Sequence, residues 1–354
     1  MALPFLNGQS KKRDQILAID LGGRSTKAIH VQRKGDIFTL LRYVMMDAPI
    51  FEKHLSVDVL AEHLKAVARA LDAKTRFVNM TISVNDSIVR HAELPQMPVE
   101  DMRLILKNNT KNYLQQDLPS HVFDIWLLPN TRLPGAEAPK PGAAQKQRVM
   151  VGGARKQLVE ELQAAARQAG LVPDQITPGI LAPVNAFEIS LPDVFSKEAV
   201  ALVEIGFKST SICLLNRGEL VVNRVVALGG DRLTAGLAEA MNISYAEAEG
   251  IKIGMPGEVQ TAFEPLLASL GRELRASIDF FEHQQDKSVS RVYISGGSGR
   301  SEFIVKGLET ELMASCIPWN PTATFQNGLS PQQSAELEQV APQLSIAVGA
   351  VAII

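Results

Sequence analysis

Two apolar hairpins with the same polar turn constrain the fold of this sequence more than any other feature. The first, ILAIDLGGRSTKAIHV, covers residues 16–31, and the second, ALVEIGFKSTSICLL, covers residues 201–215. They align without gaps at an offset of 184 residues. The aligned polar pairs are Asp20 with Glu204, Gly22 with Gly206, Arg24 with Lys208, Ser25 with Ser209 and Thr26 with Thr210. Self-similarity over so long a period predicts two lobes built from the same unit.

The segments that follow each hairpin repeat as well. A third strand is expected at 37–46 and at 219–228, an amphipathic helix at 56–72 and at 231–241, and a further strand at 77–84 and at 291–296. Each lobe is therefore predicted to be a three-stranded meander followed by a helix, a strand and a helix. A chain of 354 residues is long enough for two such cores.

The turn residues of the two hairpins suit a phosphate ligand. A single acid-x-glycine turn can be an ordinary tight turn, but two copies facing one cleft predict a polyphosphate held from both sides. Backbone N–H groups at a glycine turn form an anion-binding nest, and the hydroxyls of Ser25, Thr26, Ser209 and Thr210 can donate to phosphate oxygens. No GxxxxGK[ST] motif occurs, so the chain is not a P-loop protein.

Asp20 and Glu204 are the acids of these turns. A carboxylate beside a phosphate is repelled unless a cation lies between them. The two acids are therefore candidates for holding Mg²⁺, through its waters, and they are the candidate catalytic residues.

Other glycine turns offer a third wall for the same cleft. Gly296, Gly297 and Ser298 end a predicted strand, where a base or ribose can lie against the backbone, and Gly229 and Gly230 precede a predicted helix. Arg272 and Arg275 lie off the apolar stripe of the helix predicted at 266–284, where they could contact ribose or base. Ordinary turns and solvated surface charges are the alternative interpretations.

Composition narrows the class of protein. The net charge of −2 argues against broad nucleic-acid binding, and the two cysteines, 103 residues apart, indicate buried thiols of a reducing compartment. The start of the chain does not have the pattern of a signal peptide, and the apolar tail LSIAVGAVAII is too short for a membrane helix. We therefore expect a cytoplasmic protein whose tail is a buried core element, without direct membrane insertion.

The motifs of the cleft resemble those of the actin-like ATPases. AIDLGGRSTK is similar to the first phosphate motif of that superfamily, VEIGFKST to the second and ISGGSG to its adenosine motif. The segment 90–176, beginning RHAELPQMPVEDMRLILKNNTKNYL, resembles the PilM family of type IV pilus assembly proteins. The resemblance implies an α/β, actin-like (ribonuclease H-like) fold: two duplicated lobes with a small α+β insert domain in the first lobe.

The resemblance also sets the expected domain boundaries. They are a flexible extension at 1–14, the first lobe at 15–89, the insert at 90–176 with a mobile loop at 130–147, returns to the first lobe at 177–198 and 322–354, and the second lobe at 199–321.

For function, the resemblance implies a cytoplasmic protein at the inner membrane that binds ATP with Mg²⁺. It also implies docking of the N-terminal peptide of a PilN-type inner-membrane protein between the first lobe and the insert. By the same resemblance, contacts to the nucleotide fall on Gly22, Gly23, Ser25, Thr26, Lys27, Gly206, Lys208, Ser209, Thr210, Gly296 and Gly297. Two departures, Glu204 in place of aspartate and Thr177 where many relatives carry a carboxylate, favour binding of ATP over its hydrolysis.

Two alternatives stay open at this stage. One is an active ATPase or a small-molecule kinase. A kinase needs a base beside the acceptor hydroxyl, for which Asp86 is the candidate, with an ordinary turn aspartate as the other interpretation. A filament former resembling the cell-division protein FtsA would share the extra subdomain, and self-association into rings or filaments is compatible with the fold.

Overall fold

A computed structural model describes residues 13–49, 56–129, 145–254 and 260–351. The expected extension at 1–14 and loop at 130–147 lie almost entirely outside the described residues. The described strands form three sheets. In chain order the strands are β1 (Gln15–Leu21), β2 (Ser25–Lys34), β3 (Ile37–Asp47), β4 (Phe77–Ile82), β5 (Ser87–Pro95), β6 (His121–Leu127), β7 (Lys146–Arg155), β8 (Val172–Pro178), β9 (Ala199–Ile205), β10 (Thr210–Asn216), β11 (Glu219–Val226), β12 (Arg291–Ser295), β13 (Cys316–Pro318) and β14 (Gln326–Asn327).

Helices cover these sheets and connect their strands. In chain order they are α1 (Val57–Leu71), α2 (Val99–Asn108), α3 (Thr110–Leu114), α4 (Lys156–Gln168), α5 (Ala182–Ser190), α6 (Pro192–Lys197), α7 (Gly230–Met241), α8 (Tyr245–Gly254), α9 (Gln260–Gln285), α10 (Glu302–Leu312), α11 (Pro331–Val340) and α12 (Ser345–Val351).

The first lobe is a six-stranded sheet in the order β14-β3-β2-β1-β4-β8. Its central strand β1 is antiparallel to β2 and parallel to β4, and five of its seven residues are buried. Leu17 and Ile19 pack with α1 and α4, whereas Ile16 and Ala18 pack on the opposite face with α5 and α12. A strand covered on both faces is apolar throughout, which explains why the hairpin has no polar alternation.

The second lobe repeats that arrangement. Its sheet has the order β11-β10-β9-β12-β13, which matches β3-β2-β1-β4-β8 strand for strand. Residues of β9, β10 and β12 pack against α7, α9 and α10 in one apolar cluster. The predicted unit of meander, helix, strand and helix is therefore present in both lobes, and the duplication inferred from the hairpins is confirmed.

The insert is smaller than the sequence predicted. A three-stranded sheet in the order β5-β7-β6 packs against α2 and α3 through a separate apolar cluster. By contrast, α4 packs against α1, and β8 pairs in parallel with β4 of the first lobe. The predicted end at residue 176 is therefore wrong: the insert ends with β7, and α4 and β8 are the first-lobe counterparts of α10 and β13. Local amphipathic patterns do not specify which sheet a helix covers.

The C-terminal segment packs with the first lobe. Strand β14 pairs with β3, and α12 is buried in the core cluster that contains residues of β1 and α5. The expectation that the apolar tail is a core element is thereby confirmed for residues 345–351. Among the described residues, no helix is long and apolar enough to cross a membrane.

Candidate functional site

The turn between β1 and β2 holds a buried carboxylate beside a lysine. Asp20 is 5% exposed and lies opposite Lys27 in the strand register, with its Oδ2 3.4 Å from Lys27 Nζ. The Thr81 hydroxyl donates to Asp20 Oδ1 at 3.3 Å. A Cβ on Gly22 would lie 2.6 Å from the Ser25 carbonyl oxygen and 2.8 Å from Lys27 Nζ, so the turn requires glycine there.

The second hairpin positions its acid differently. Glu204 is 7% exposed, and its Oε2 accepts hydrogen bonds from the hydroxyls of Ser295 and Ser345. Burial raises the pKa of Glu204 to about 7, although both hydroxyls and the charge of Lys27 favour the ionised form. The two acids thus differ in their contacts, and near neutral pH Glu204 carries a proton for a large part of the time.

The two hairpins form facing walls of one cavity of about 400 Å³ between the lobes. Polar contacts join the lobes across this cleft: Arg24 pairs with Glu249 at 2.9 Å, and Asn85 Nδ2 donates to Ser209 Oγ at 3.2 Å. The predicted site residues that line the cavity are Asp20, Gly22, Gly23, Ser25, Lys27, Glu204, Gly206, Lys208, Ser209, Gly230, Gly297 and Ser298.

The two predicted threonines do not face the cavity. Thr26 follows Ser25 in β2 and points to the other face of the sheet, where its hydroxyl lies 2.7 Å from His63 Nε2 of α1. Thr210 follows Ser209 and donates to the Leu228 carbonyl oxygen at 2.7 Å. Side chains alternate along a strand, so in each Ser-Thr pair only the serine reaches the cleft. The prediction that both threonines contact phosphate is therefore wrong.

Two of the predicted glycines are structural. A Cβ on Gly229 would lie 2.5 Å from the Phe207 carbonyl oxygen, so this residue packs beneath the second hairpin. Gly296 has φ +91° and lies against the Ile205 carbonyl oxygen, which a Cβ would approach to 2.4 Å. Both glycines support the cavity wall without lining it.

Arg272 and Arg275 lie outside the cavity, which corrects their predicted contact with ribose or base. Arg272 is exposed on α9. Arg275 pairs with Asp279 and Glu282 and donates to the carbonyl oxygen of Leu312 at the end of α10. These contacts fix its guanidinium between two helices of the second lobe.

A charged cluster on α8 lines the cavity and was missed from the sequence. Lys252 is 8% exposed and donates to Glu249 Oε2 at 2.8 Å and to Thr234 Oγ1 at 2.7 Å. The exposed Arg300, in the turn before α10, also lines the cavity. The only sequence signal was the acid–base pair three residues apart in EGIK, which places both side chains on one helix face.

A magnesium ion in the cleft would take only a few of its ligands from protein side chains. Among the described residues no cluster of three or more His, Cys, Asp or Glu side chains could hold a metal ion alone. Asp20 and Glu204 nevertheless approach one cavity from opposite lobes, and the two serines occupy only Oε2 of Glu204. Two carboxylates fit an ion that takes most of its ligands from water and phosphate oxygens.

A second cavity, which we call the α1–α4 groove, lies on the other side of the first hairpin and has a volume of about 550 Å³. Apolar side chains of α1 and α4, including Leu60 and Leu158, line it together with the Asp86–Arg155 ion pair. Residues 21–23 and 82–83 line both cavities, so one thin wall separates them. Thr26 faces this groove, and Asp86, the candidate kinase base, lies here and does not line the cleft.

Two duplicated lobes whose glycine hairpins meet in a shared cleft define the actin-like ATPase fold. Its solved representatives include EutJ, the ethanolamine utilization protein from Carboxydothermus hydrogenoformans, which matches with a TM-score of 0.57 at 14% identity over 98% of this chain and 91% of that one. The family model of type IV pilus assembly protein PilM matches residues 18–352, and the chain belongs to that family.

Two further proteins are similar to this chain. The structure of a PilM-PilN type IV pilus biogenesis complex matches with a TM-score of 0.82 at 24% identity, covering 97% of this chain and all of that one. Cell division protein FtsA of Bacillus subtilis is 23% identical over 257 residues, which is 67% of this chain and 57% of that protein. The chain thus spans little more than half of the length of this curated relative.

Proposed function

We propose that the chain is a cytoplasmic, ATP-binding scaffold of a type IV pilus assembly complex at the inner membrane, with Mg²⁺ as the counter-ion. Phosphate would be held by the turn backbones at Gly22, Gly23 and Gly206 and by the hydroxyls of Ser25 and Ser209. The carboxylates of Asp20 and Glu204 would hold the Mg²⁺ ion that accompanies the phosphates. Bound nucleotide supplies a polyanion that both lobes can contact at once, which favours the closed arrangement of the cleft.

The partner proposed for the α1–α4 groove is the N-terminal peptide of a PilN-type inner-membrane protein. The groove is apolar at α1 and α4 and polar at the Asp86–Arg155 pair, which suits a short extended segment with apolar side chains. The observation that carries the proposal is the wall shared with the cleft, residues 21–23 and 82–83. A shift of this wall on nucleotide binding alters the groove on its other side.

A pair of neighbouring variants tests this coupling. A synthetic peptide with the N-terminal sequence of the PilN-type partner is titrated in the presence and absence of Mg-ATP, and we expect its affinity to differ by about fivefold or more. Ser25→Ala should weaken ATP binding and leave peptide affinity without nucleotide unchanged. Thr26→Val should weaken the peptide and leave ATP affinity within about twofold. Equal peptide affinities with and without Mg-ATP would refute the coupling.

Slow hydrolysis is part of the proposal. The three carboxylates among the described residues that line the cleft are all engaged: Asp20 by Lys27 and Thr81, Glu204 by two serines, and Glu249 by Arg24, Thr234 and Lys252. With Asp20 and Glu204 proposed to face the metal and Glu249 held by three partners, no carboxylate among these three remains to orient an attacking water as a general base.

A single-turnover assay with excess protein and trace Mg-ATP measures the hydrolysis directly. We expect the nucleotide to be retained and largely intact after an hour. Prompt hydrolysis would favour an active ATPase, and no retained ATP would contradict the assignment of the cleft.

A further inference from the structure

A third cavity, which we call the strand groove, separates the insert from the second lobe and has a volume of about 1330 Å³. Strand β5 lines one side of it through residues 87–93, and strand β11 lines the other through much of residues 219–227. The groove is therefore bounded by two strands that belong to different sheets.

Both of these strands are sheet edges. Among the described strands, β5 pairs only with β7 and β11 only with β10. The backbone N–H and C=O groups on the outer edge of each strand have no strand partner there, and such groups form a template for an added strand. Both edges beside the groove can offer backbone hydrogen bonds to an extended chain, and the side chain of His91 on β5 already hydrogen bonds to the backbone of Leu220 on β11.

Polar contacts connect the second lobe to the segments on the other side of the strand groove. Arg148 of the insert forms an ion pair with Glu219 of β11, and the Asn85–Ser209 contact joins the segment before β5 to the second hairpin. The lining also includes the buried apolar side chains of Val89 and Ile180. The lining of the groove is thus partly apolar, and the Arg148–Glu219 pair joins the insert directly to the second lobe.

The charges of the groove are strongly unbalanced. Five cationic side chains and two carboxylates line it, whereas the whole chain has a net charge of −2. Both carboxylates are already paired, Glu93 with Lys146 and Glu219 with Arg148. Three exposed cations have no acidic partner among the described residues; they are Arg90, Arg217 and Lys287.

An apolar contact point accompanies these cations. Phe280 of α9 lines the same groove and is 59% exposed, an unusual exposure for an aromatic side chain. An extended peptide places successive side chains on opposite faces, so a sequence that alternates acidic and apolar residues could meet the cations and Phe280 together.

We propose that the strand groove binds an extended acidic peptide segment of another protein, which adds as a strand to the free edges of β5 and β11. This site differs from the α1–α4 groove in position and in charge, and it does not depend on the partner proposed there. The specificity comes from Arg90, Arg217 and Lys287, and the backbone edges supply binding that is largely independent of sequence.

The first test uses a fluorescent octapeptide of alternating glutamate and valine as the probe. We expect saturable binding with a Kd in the micromolar range that weakens as salt is raised. The Arg217→Glu/Lys287→Glu double variant should bind about tenfold more weakly. The matched control, Arg69→Glu/Lys74→Glu, makes the same charge change at two exposed residues at the end of α1, outside the groove, and should bind like the parent protein.

Changes in the peptide keep the test informative if a protein variant fails to fold. A peptide with glutamine in place of glutamate should lose about tenfold in affinity, and one with N-methylated backbone amides should not bind detectably. Amide hydrogen exchange should slow in β5 or β11 on binding. A peptide of the PilN-type partner should not compete with the probe.

Three outcomes would overturn the proposal. Equal binding of the N-methylated peptide would exclude strand addition. Unchanged binding to Arg217→Glu/Lys287→Glu would exclude the groove as the site. No binding of any of these peptides would mean that the cations serve only to keep the free edges from pairing.

Discussion

The protonation of Glu204 gives the sharpest test of the site geometry. The pKa of this carboxyl rises from 4.5 to about 7 because the folded protein removes it from water. Between these two pH values the folded state holds a proton that the unfolded chain has released. The contribution of this raised pKa to the free energy of unfolding is therefore complete below pH 4.5 and is lost as the pH rises through 7.

The variant Glu204→Gln removes this titration and keeps a side chain of the same shape beside Ser295 and Ser345. At about 1.4 kcal/mol per pH unit, the linkage relation gives a change of about 2.5 kcal/mol between pH 5 and pH 8. The free energy of unfolding of Glu204→Gln, relative to that of the parent protein, should therefore rise by this amount over the interval.

Urea unfolding of nucleotide-free protein in EDTA, at four pH values from 5 to 8, measures this difference. Glu338→Gln, at an exposed position on α11, is the control and should show no such trend. A difference for Glu204→Gln that stays constant with pH would refute the argument that burial holds the proton on this carboxyl.

Three further predictions follow from the cleft. Gly296→Ala should lower the free energy of unfolding by about 1–3 kcal/mol in thermal unfolding, because φ is +91° and the Ile205 carbonyl oxygen is close. Gly35→Ala, at φ +62° in open space, should lower it less, and equal losses would contradict the steric argument. Arg300→Ala should weaken ATP binding about fivefold in calorimetry through loss of a cation that lines the cavity, whereas Arg275→Ala should not; the reverse order would remove Arg300 from the site. Mg-ATP binding should release more protons at pH 6 than at pH 8, because the Glu204 carboxyl holds its proton at the lower pH. Calorimetry in buffers of different ionisation enthalpy measures this release, and Glu204→Gln should abolish the difference.

The sequence predicted the architecture of the lobes better than it predicted their boundaries. The repeated hairpins identified two similar sheets, because a duplicated unit is visible without any knowledge of long-range contacts. The family resemblance predicts an insert at 90–176, and local patterns do not correct its end, because α4 and β8 have the pattern of any helix and strand. Their membership of the first lobe depends on pairing between β8 and β4, which are far apart in the chain.

Within the site, the sequence by itself determined the types of residue that meet in the cleft: two acids, glycine turns and serine hydroxyls, in duplicate. Only the tertiary structure decided which of them face it. The phase of strand alternation sends Ser25 and Ser209 into the cleft and turns Thr26 and Thr210 away. Lys252 joins them because α8 packs against α7, a contact that local patterns do not specify. The local sequence therefore determines which chemical groups are present. The direction in which each side chain points depends on which face of its sheet the rest of the chain covers.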